Sequence, residues 1–231
     1  SNYGKIDILW LDGGWVCKEN GQDINMPRIA SRARALQPGL IIVDRTIHGP
    51  YENYQTPERT IPEQQLNYPW ESCIPLSNDW GWVKNPVWKS ATKVINTLVE
   101  VVAKGGNLVL GVGPTADGRI QKEAACRLDS IGQWLKHYGK AIYNTVPTPY
   151  YQEGKLWFTA DKNGRQHYAI YALSDGEEMP STLSWHTNVP KSVMLLGVNK
   201  RLKMTKTNDG KVTVKLPEGM KAEPFALQLN L

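Results

Sequence analysis

Ile6-Asp7-Ile8-Leu9-Trp10-Leu11-Asp12-Gly13 is the stretch from which the rest of the chain can be read. It is apolar apart from Asp7, reads as a fully buried strand, and stops on a carboxylate followed by Gly13-Gly14. A strand without polar alternation belongs to a parallel α/β sheet, and in such folds ligands sit at the carboxyl ends of the strands. Asp12 is thereby held on a rigid element at the end where chemistry takes place, while Asp7 merely begins the strand. Taken alone, a strand-end aspartate can equally cap a loop, so its neighbours decide its meaning.

Outward from this strand, buried strands alternate with amphipathic helices. Met26 to Gln37 carries Ile29, Ala33 and Leu36 at helical spacing, and Pro38-Gly39 stops it. Leu40-Ile41-Ile42-Val43 is the next strand, with Asp44-Arg45 at its carboxyl end. Residues 47–86 read as one long loop, rich in Pro, Asn, Tyr and Trp; loops of that length are functional or disordered, and the tryptophans argue against disorder. Pro86 is expected to open a helix whose stripe runs through Val87, Ala91, Val94, Ile95, Leu98, Val99 and Val102 to Gly105-Gly106. Leu108-Val109-Leu110 is a further strand, and residues 121–137 form another amphipathic helix.

Repeated βα units demand parallel strands with right-handed crossovers. Three units do not close a barrel. The fold class expected is therefore α/β plus all-β: over residues 1–145 the second half of a (β/α)8-type, TIM-like barrel, its upstream half not in view, then an antiparallel β-sandwich over 146–231. Short alternating runs (156–159, 167–172, 192–196, 211–215), separated by turn signals such as Asn208-Asp209-Gly210, carry the second part. The boundary is expected near residues 144–149, with Pro147 and Pro149 as a linker.

Composition narrows the function classes. The 231 residues suit one large domain or two small ones, and 41% hydrophobic content permits a full core. No apolar stretch is long enough to span a bilayer, so membrane insertion is not expected. The net charge of +5 is scattered rather than concentrated, which argues against a nucleic-acid partner. Nine Trp and ten Tyr against two Phe hint at carbohydrate, since amphipathic rings stack on sugars. Cys17, Cys73 and Cys126 lie far apart, so neither a zinc site nor a disulfide framework is implied; free thiols or one bridge plus one thiol remain open. The chain starts at Ser1-Asn2 on the threshold of a buried strand, without a visible signal peptide.

The carboxyl ends and the long loop bring together Asp12, Asp44, Arg45, Glu52, Glu58, Glu63 and Glu71. Paired carboxylates with an arginine, several tryptophans and no metal-ligand spacing suit glycoside hydrolysis, in which one ionised carboxylate attacks and a second donates and then takes a proton. The loop glutamates are not ranked by this argument. Glu52 and Glu63 read as solvated charges, His48 as a satisfied polar residue after a strand, and His137, His167 and His186 as lying off the site.

Ile8-Leu9-Trp10-Leu11-Asp12-Gly13-Gly14 resembles the nucleophile strand of the family 29 glycoside hydrolases, the retaining α-L-fucosidases. Asn107-Leu108-Val109-Leu110-Gly111-Val112-Gly113-Pro114 with Asp117-Gly118-Arg119-Ile120 is similar to that family's "NLLLNVGP…DGRI" stretch. Residues 131–135 and 139–143 resemble its "IGxWL…GEAIY", and Pro69-Trp70-Glu71 with Asp79-Trp80-Gly81-Trp82 its "WE…WGY" loop. The matches run in family order over residues 6–145, with Gly111 and Lys140 departing from the usual Asn and Glu.

The resemblance implies Asp12 as nucleophile, Arg45 as a fucose ligand, and Trp10 and Trp80 as walls of the sugar pocket. Thr56-Pro57-Glu58 is similar to the "TPE" that often supplies the acid/base, which makes Glu58 the first candidate and Glu71 the second. It also implies an exo-acting hydrolase for terminal α-linked fucose on an oligosaccharide or glycoconjugate, no cofactor or metal, and a secreted, periplasmic or lysosome-like location. Two rivals stand beside it: a carbohydrate-binding or inactive remnant, whose sandwich aromatics Trp157, Tyr168 and Tyr171 could take sugar but read equally as core, and a glycosidase for another sugar.

Overall fold

A computed structural model describes residues 3–13, 15, 16, 18–45 and 49–231, with Lys18 and Asp44 described by their backbone alone. Gly14, Cys17 and His48 lie outside the described residues. The first strand, β1 (Ile8–Leu11), pairs in parallel with β2 (Ile41–Asp44) across the helix α1 (Met26–Leu36). Its alternate residues Leu9 and Leu11 pack with Met26, Ala30 and Ile42 under α1, whereas Ile8 and Trp10 face the other way and stay exposed. The expectation of a fully buried strand is thus corrected: among the described residues α1 covers one face only.

The long loop is also corrected, because it contains a strand. β3 (Glu71–Pro75) pairs in parallel with β4 (Asn107–Gly111), joined by the helix α2 (Ala91–Ala103). Glu71-Ser72-Cys73-Ile74-Pro75 shows neither polar alternation nor β-branched enrichment, so its pattern is silent, and backbone pairing on both sides makes it a strand. On one side lies β4; on the other, parallel bridges join Gln55 to Trp70 and Glu58 to Cys73. The same segment reaches β2, where Asn53 N–H donates to the Ile42 carbonyl at 2.8 Å and Ile42 N–H donates to Asn53 Oδ1 at 2.8 Å. Residues 53–58 therefore bridge β2 and β3, and the parallel strands form a continuous arc.

Helix α2 begins later than Pro86 suggests. Ser90 caps it, its hydroxyl accepting from Lys93 N–H at 2.9 Å, and an Ser N-cap outweighs a distant proline. Val87 is exposed and does not join the stripe. Helix α3 (Lys122–Tyr138) follows β4 and leads to β5 (Thr145–Glu153). Pro147 and Pro149 sit inside β5 rather than in a linker, which the sheet allows because β5 is an edge strand, where a missing N–H leaves no ladder bond unmade.

From β5 onward every pairing is antiparallel. β6 (Leu156–Asp161), β7 (His167–Tyr171), β9 (Ser192–Leu195), β10 (Lys200–Arg201) and β13 (Phe225–Asn230) join β5 in a six-stranded sheet ordered β10-β9-β13-β7-β6-β5. β8 (Thr182–Trp185), β11 (Met204–Lys206) and β12 (Val212–Lys215) form a three-stranded sheet against it. Leu156, Phe158, Ala169, Phe225 and Leu227 point toward the small sheet and pack with Trp185, Val212 and Val214. The alternating Trp157, Tyr168, Ile170 and Ala226 point the other way into a core shared with Val94, Val99 and Trp134 of α2 and α3. One sheet buried on both faces thus ties the parallel arc to the sandwich, and Trp134 Nε1 donates to the Pro224 carbonyl at 2.6 Å across the junction. Trp157 and Tyr168 are buried and Tyr171 half-buried with its hydroxyl on Glu177 at 3.3 Å, so these rings are core and not a sugar-binding face.

Candidate active site

The carboxyl ends of β1 and β2, the bridging segment and β3 converge on Arg45. Its Nη1 donates to Asp12 Oδ1 at 3.2 Å and its Nη2 to Glu58 Oε2 at 2.6 Å. The guanidinium carbon lies 4.6 Å from the centre of the Trp10 ring. The arginine side chain is only 11% exposed, against 62% for Asp12 and 44% for Glu58. A planar guanidinium presents a rigid fork of donors, so both carboxylates are held by one inflexible group. Asp12 Oδ1 also accepts from Gly13 N–H at 2.9 Å. The side chain of Asp44, the residue before Arg45, is not among those described.

The second oxygen of Glu58 is also held. Trp80 Nε1 donates to Glu58 Oε1 at 2.8 Å, and the Arg59 guanidinium lies 5.2 Å from the centre of the Trp80 ring. Trp80 belongs to the turn after β3, where Ser77 Oγ and Asp79 exchange bonds and Arg59 Nη1 donates to the Asn78 carbonyl at 3.0 Å. A cavity of about 460 Å³ opens beside Arg45 and Glu58, lined also by Gln55, Pro57, Leu66 and Tyr68. Among the described residues no three His, Cys, Asp or Glu side chains are grouped to hold a metal ion.

Glu71 heads β3 on the face shared with Cys73. Burial pushes its carboxyl above the usual carboxylate range, and hydrogen bonds from Trp10 and Tyr54 together with the Arg45 charge only partly offset this. The Tyr54 hydroxyl reaches Glu71 Oε1 at 3.5 Å. Cys73, two residues on, is a buried free thiol whose pKa burial likewise raises. Because the folded state holds Glu71 above its unfolded value, its contribution to stability is present at acid pH and declines as pH rises through the raised value. Thermal unfolding followed against pH should therefore show a decline in the wild type that Glu71→Gln lacks. Parallel curves would mean that Glu71 ionises as freely in the fold as in the unfolded chain.

Asp12, Arg45, Glu58, Trp10, Trp80 and Glu71, named from the sequence, all meet here. Glu63 is exposed away from them, and His137, His167 and His186 belong to the helix and sandwich regions. Tyr54, Arg59 and Cys73 were not anticipated. Alternation from Glu71 would have pointed to Cys73 had β3 been recognised, while the two loop residues carry no sequence signal.

The α-L-fucosidase family model matches residues 1–140. The chain belongs to this family. It is similar to the human tissue α-L-fucosidase, 27% identical over 94% of the chain and 49% of the relative. Its fold matches that of α-L-fucosidase isoenzyme 1 from Paenibacillus thiaminolyticus with a TM-score of 0.84 at 23% identity, covering 100% of this chain and 59% of that one. A Bacteroides thetaiotaomicron α-L-fucosidase solved as a trapped covalent intermediate with 2-fluoro-fucosyl fluoride aligns with a TM-score of 0.83 at 24% identity, over 99% and 57% of the two chains. The chain spans about half the length of the curated relatives it matches. Among the described residues no helix is long and apolar enough to cross a membrane.

Proposed function

We propose that this chain carries the nucleophile and the acid/base of a retaining exo-α-L-fucosidase acting on fucosylated oligosaccharides or glycoconjugates outside the cytosol. The observation that carries the reading is the single, largely covered guanidinium that gathers Asp12 from a strand end and Glu58 from the bridging segment. In this reading the parallel arc is the second half of a (β/α)8 barrel, residues 1–145, with residues 146–231 as the sandwich domain. The exposed Ile8, Trp10, Ile41 and Val109 are then the interior that upstream residues of the complete protein close over.

Asp12, on rigid structure and paired to Arg45, attacks the anomeric carbon while Glu58 gives its proton to the leaving-group oxygen. The product is a glycosyl ester on Asp12. Glu58, now ionised, takes a proton from water, which attacks the same carbon and releases fucose with net retention. Esterification removes the Asp12 charge, and the protonation of Glu58 alternates between the steps accordingly. Trp10 and Trp80 border the carboxylates and offer apolar surface to the sugar, and Arg45 and Glu71 offer polar contacts. No resident metal or cofactor is needed for this sequence of steps. The covalent intermediate of the Bacteroides relative supports the two-step course.

The test is the stereochemistry of hydrolysis of an aryl α-L-fucoside by the complete protein, followed by NMR. Retention requires α-L-fucose as the first-formed anomer. First appearance of the β-anomer, preference for a galactoside, or fucose binding without release by folded protein would overturn it. The last outcome would favour a binding role, which the exposed arc interior makes the second reading for these 231 residues taken alone.

A further inference from the structure

β4 ends on Gly111 and is followed by Val112-Gly113, and the turn carrying Trp80 lies directly on this stretch. A Cβ on Gly111 would stand 2.8 and 3.0 Å from two carbons of the Trp80 ring and 3.5 Å from Pro75 Cα. A Cβ on Gly113 would stand 2.4 to 2.8 Å from the backbone of Gly81 and Trp82. Gly111 needs no left-handed backbone, unlike Gly118 or Gly105, so conformational freedom does not account for it. What the site requires there is the empty space. The indole occupies that space, with Arg59 over the ring and its N–H on Glu58 Oε1.

We propose that Gly111 is a positioning residue for the proton donor: by having no side chain, it seats Trp80 at the depth from which the indole N–H holds the Glu58 carboxyl. The inference rests on the reading of Glu58 as acid/base. With Oε2 on Arg45 and Oε1 on Trp80, the carboxyl plane is fixed from both ends, and general acid catalysis depends on such alignment with the leaving-group oxygen. A methyl group at 111 pushes the ring outward, because the contact falls on stiff indole carbons and no flexible chain end can yield. The Glu58 carboxyl then swings on Arg45 alone.

The experiment uses the complete protein carrying Gly111→Ala, Trp80→Phe or Glu58→Ala. Each is assayed on a phenyl α-L-fucoside, whose leaving group needs a proton, and on a dinitrophenyl fucoside, which leaves without one. Gly111→Ala should lose roughly tenfold in kcat/KM on the phenyl substrate, a fraction of the ~10²–10⁴ that a positioned acid supplies, and less than about twofold on the dinitrophenyl one; Trp80→Phe, which also alters the wall of the sugar pocket, should lose more on the phenyl substrate than on the dinitrophenyl one. A merely structural defect would lower both equally, and equal losses would overturn the proposal.

A second readout does not depend on activity. The Trp80 indole signal, identified in a 15N-labelled sample by its absence from Trp80→Phe, should move in both Gly111→Ala and Glu58→Ala. An unmoved signal in Gly111→Ala refutes the seat. If Glu58→Ala itself shows no leaving-group dependence, the acid/base reading fails, and with it the catalytic part of this inference. The indole signal still decides whether Gly111 seats Trp80.

Discussion

Asp12→Ala should abolish fucoside turnover, and azide should restore part of it. In the proposed reaction the variant removes the carboxylate at the end of β1 that Arg45 holds, and with it the bond-forming atom of the first step. Deleting a nucleophile from an enzyme that relies on covalent catalysis typically costs several orders of magnitude, and here a loss of roughly 10⁴-fold or more in kcat is expected. Azide, small and anionic, fits the space left by the carboxylate beside the arginine and can attack the same carbon from the same face. Its product is the fucosyl azide of inverted configuration, detectable by NMR. Turnover near the wild-type level without azide would remove Asp12 from the mechanism, whatever the rest of the site does.

Glu58→Ala and Glu71→Ala should separate sharply by leaving group. Both carboxylates lie close to Arg45, but they are held differently. Glu58 is on the bridging segment, 44% exposed, with each oxygen accepting one bond. Glu71 heads a strand between Trp10 and Tyr54, where burial raises its pKa. A raised pKa is what an acid catalyst needs, and it favours Glu71; access to the leaving group from the side favours Glu58. The first expectation is a loss of ~10²–10⁴-fold for Glu58→Ala on a phenyl fucoside with near-normal glycosylation by a dinitrophenyl fucoside. Glu71→Ala should instead weaken both substrates alike, through KM. The reverse pattern would transfer the acid/base role to Glu71.

Much of the site was legible in the chain because its residues sit where patterns end. Asp12 follows an apolar run, Arg45 follows Leu40-Ile41-Ile42-Val43, and both runs became the parallel pair β1 and β2. Glu58, Glu71 and Trp80 were identified through ordered motifs rather than periodicity, since the segment between residues 47 and 86 has no repeating pattern to read. That is also where the reading went furthest astray. Glu71–Pro75 is a strand because of pairing partners on both sides, and neither partner is near it in sequence. The start of α2 was misplaced for a local reason: Pro86 marks an extended approach, and the cap is Ser90.

The sequence by itself determined the β1-α1-β2 and α2-β4-α3 runs, the change from parallel to antiparallel grammar near residue 145, and the membership of the chain in a fucosidase family. These follow from local spacing and motif order, which depend on near neighbours. Only the tertiary structure decided that Arg45 holds Asp12 and Glu58 together, that Trp80 bonds Glu58 over an empty Gly111, and that Trp157 and Tyr168 are core. The physical reason is distance along the chain. Arg45 and Asp12 are 33 residues apart and Trp80 and Glu58 are 22 apart, and the directional bonds between them exist only once the arc has brought the strand ends side by side.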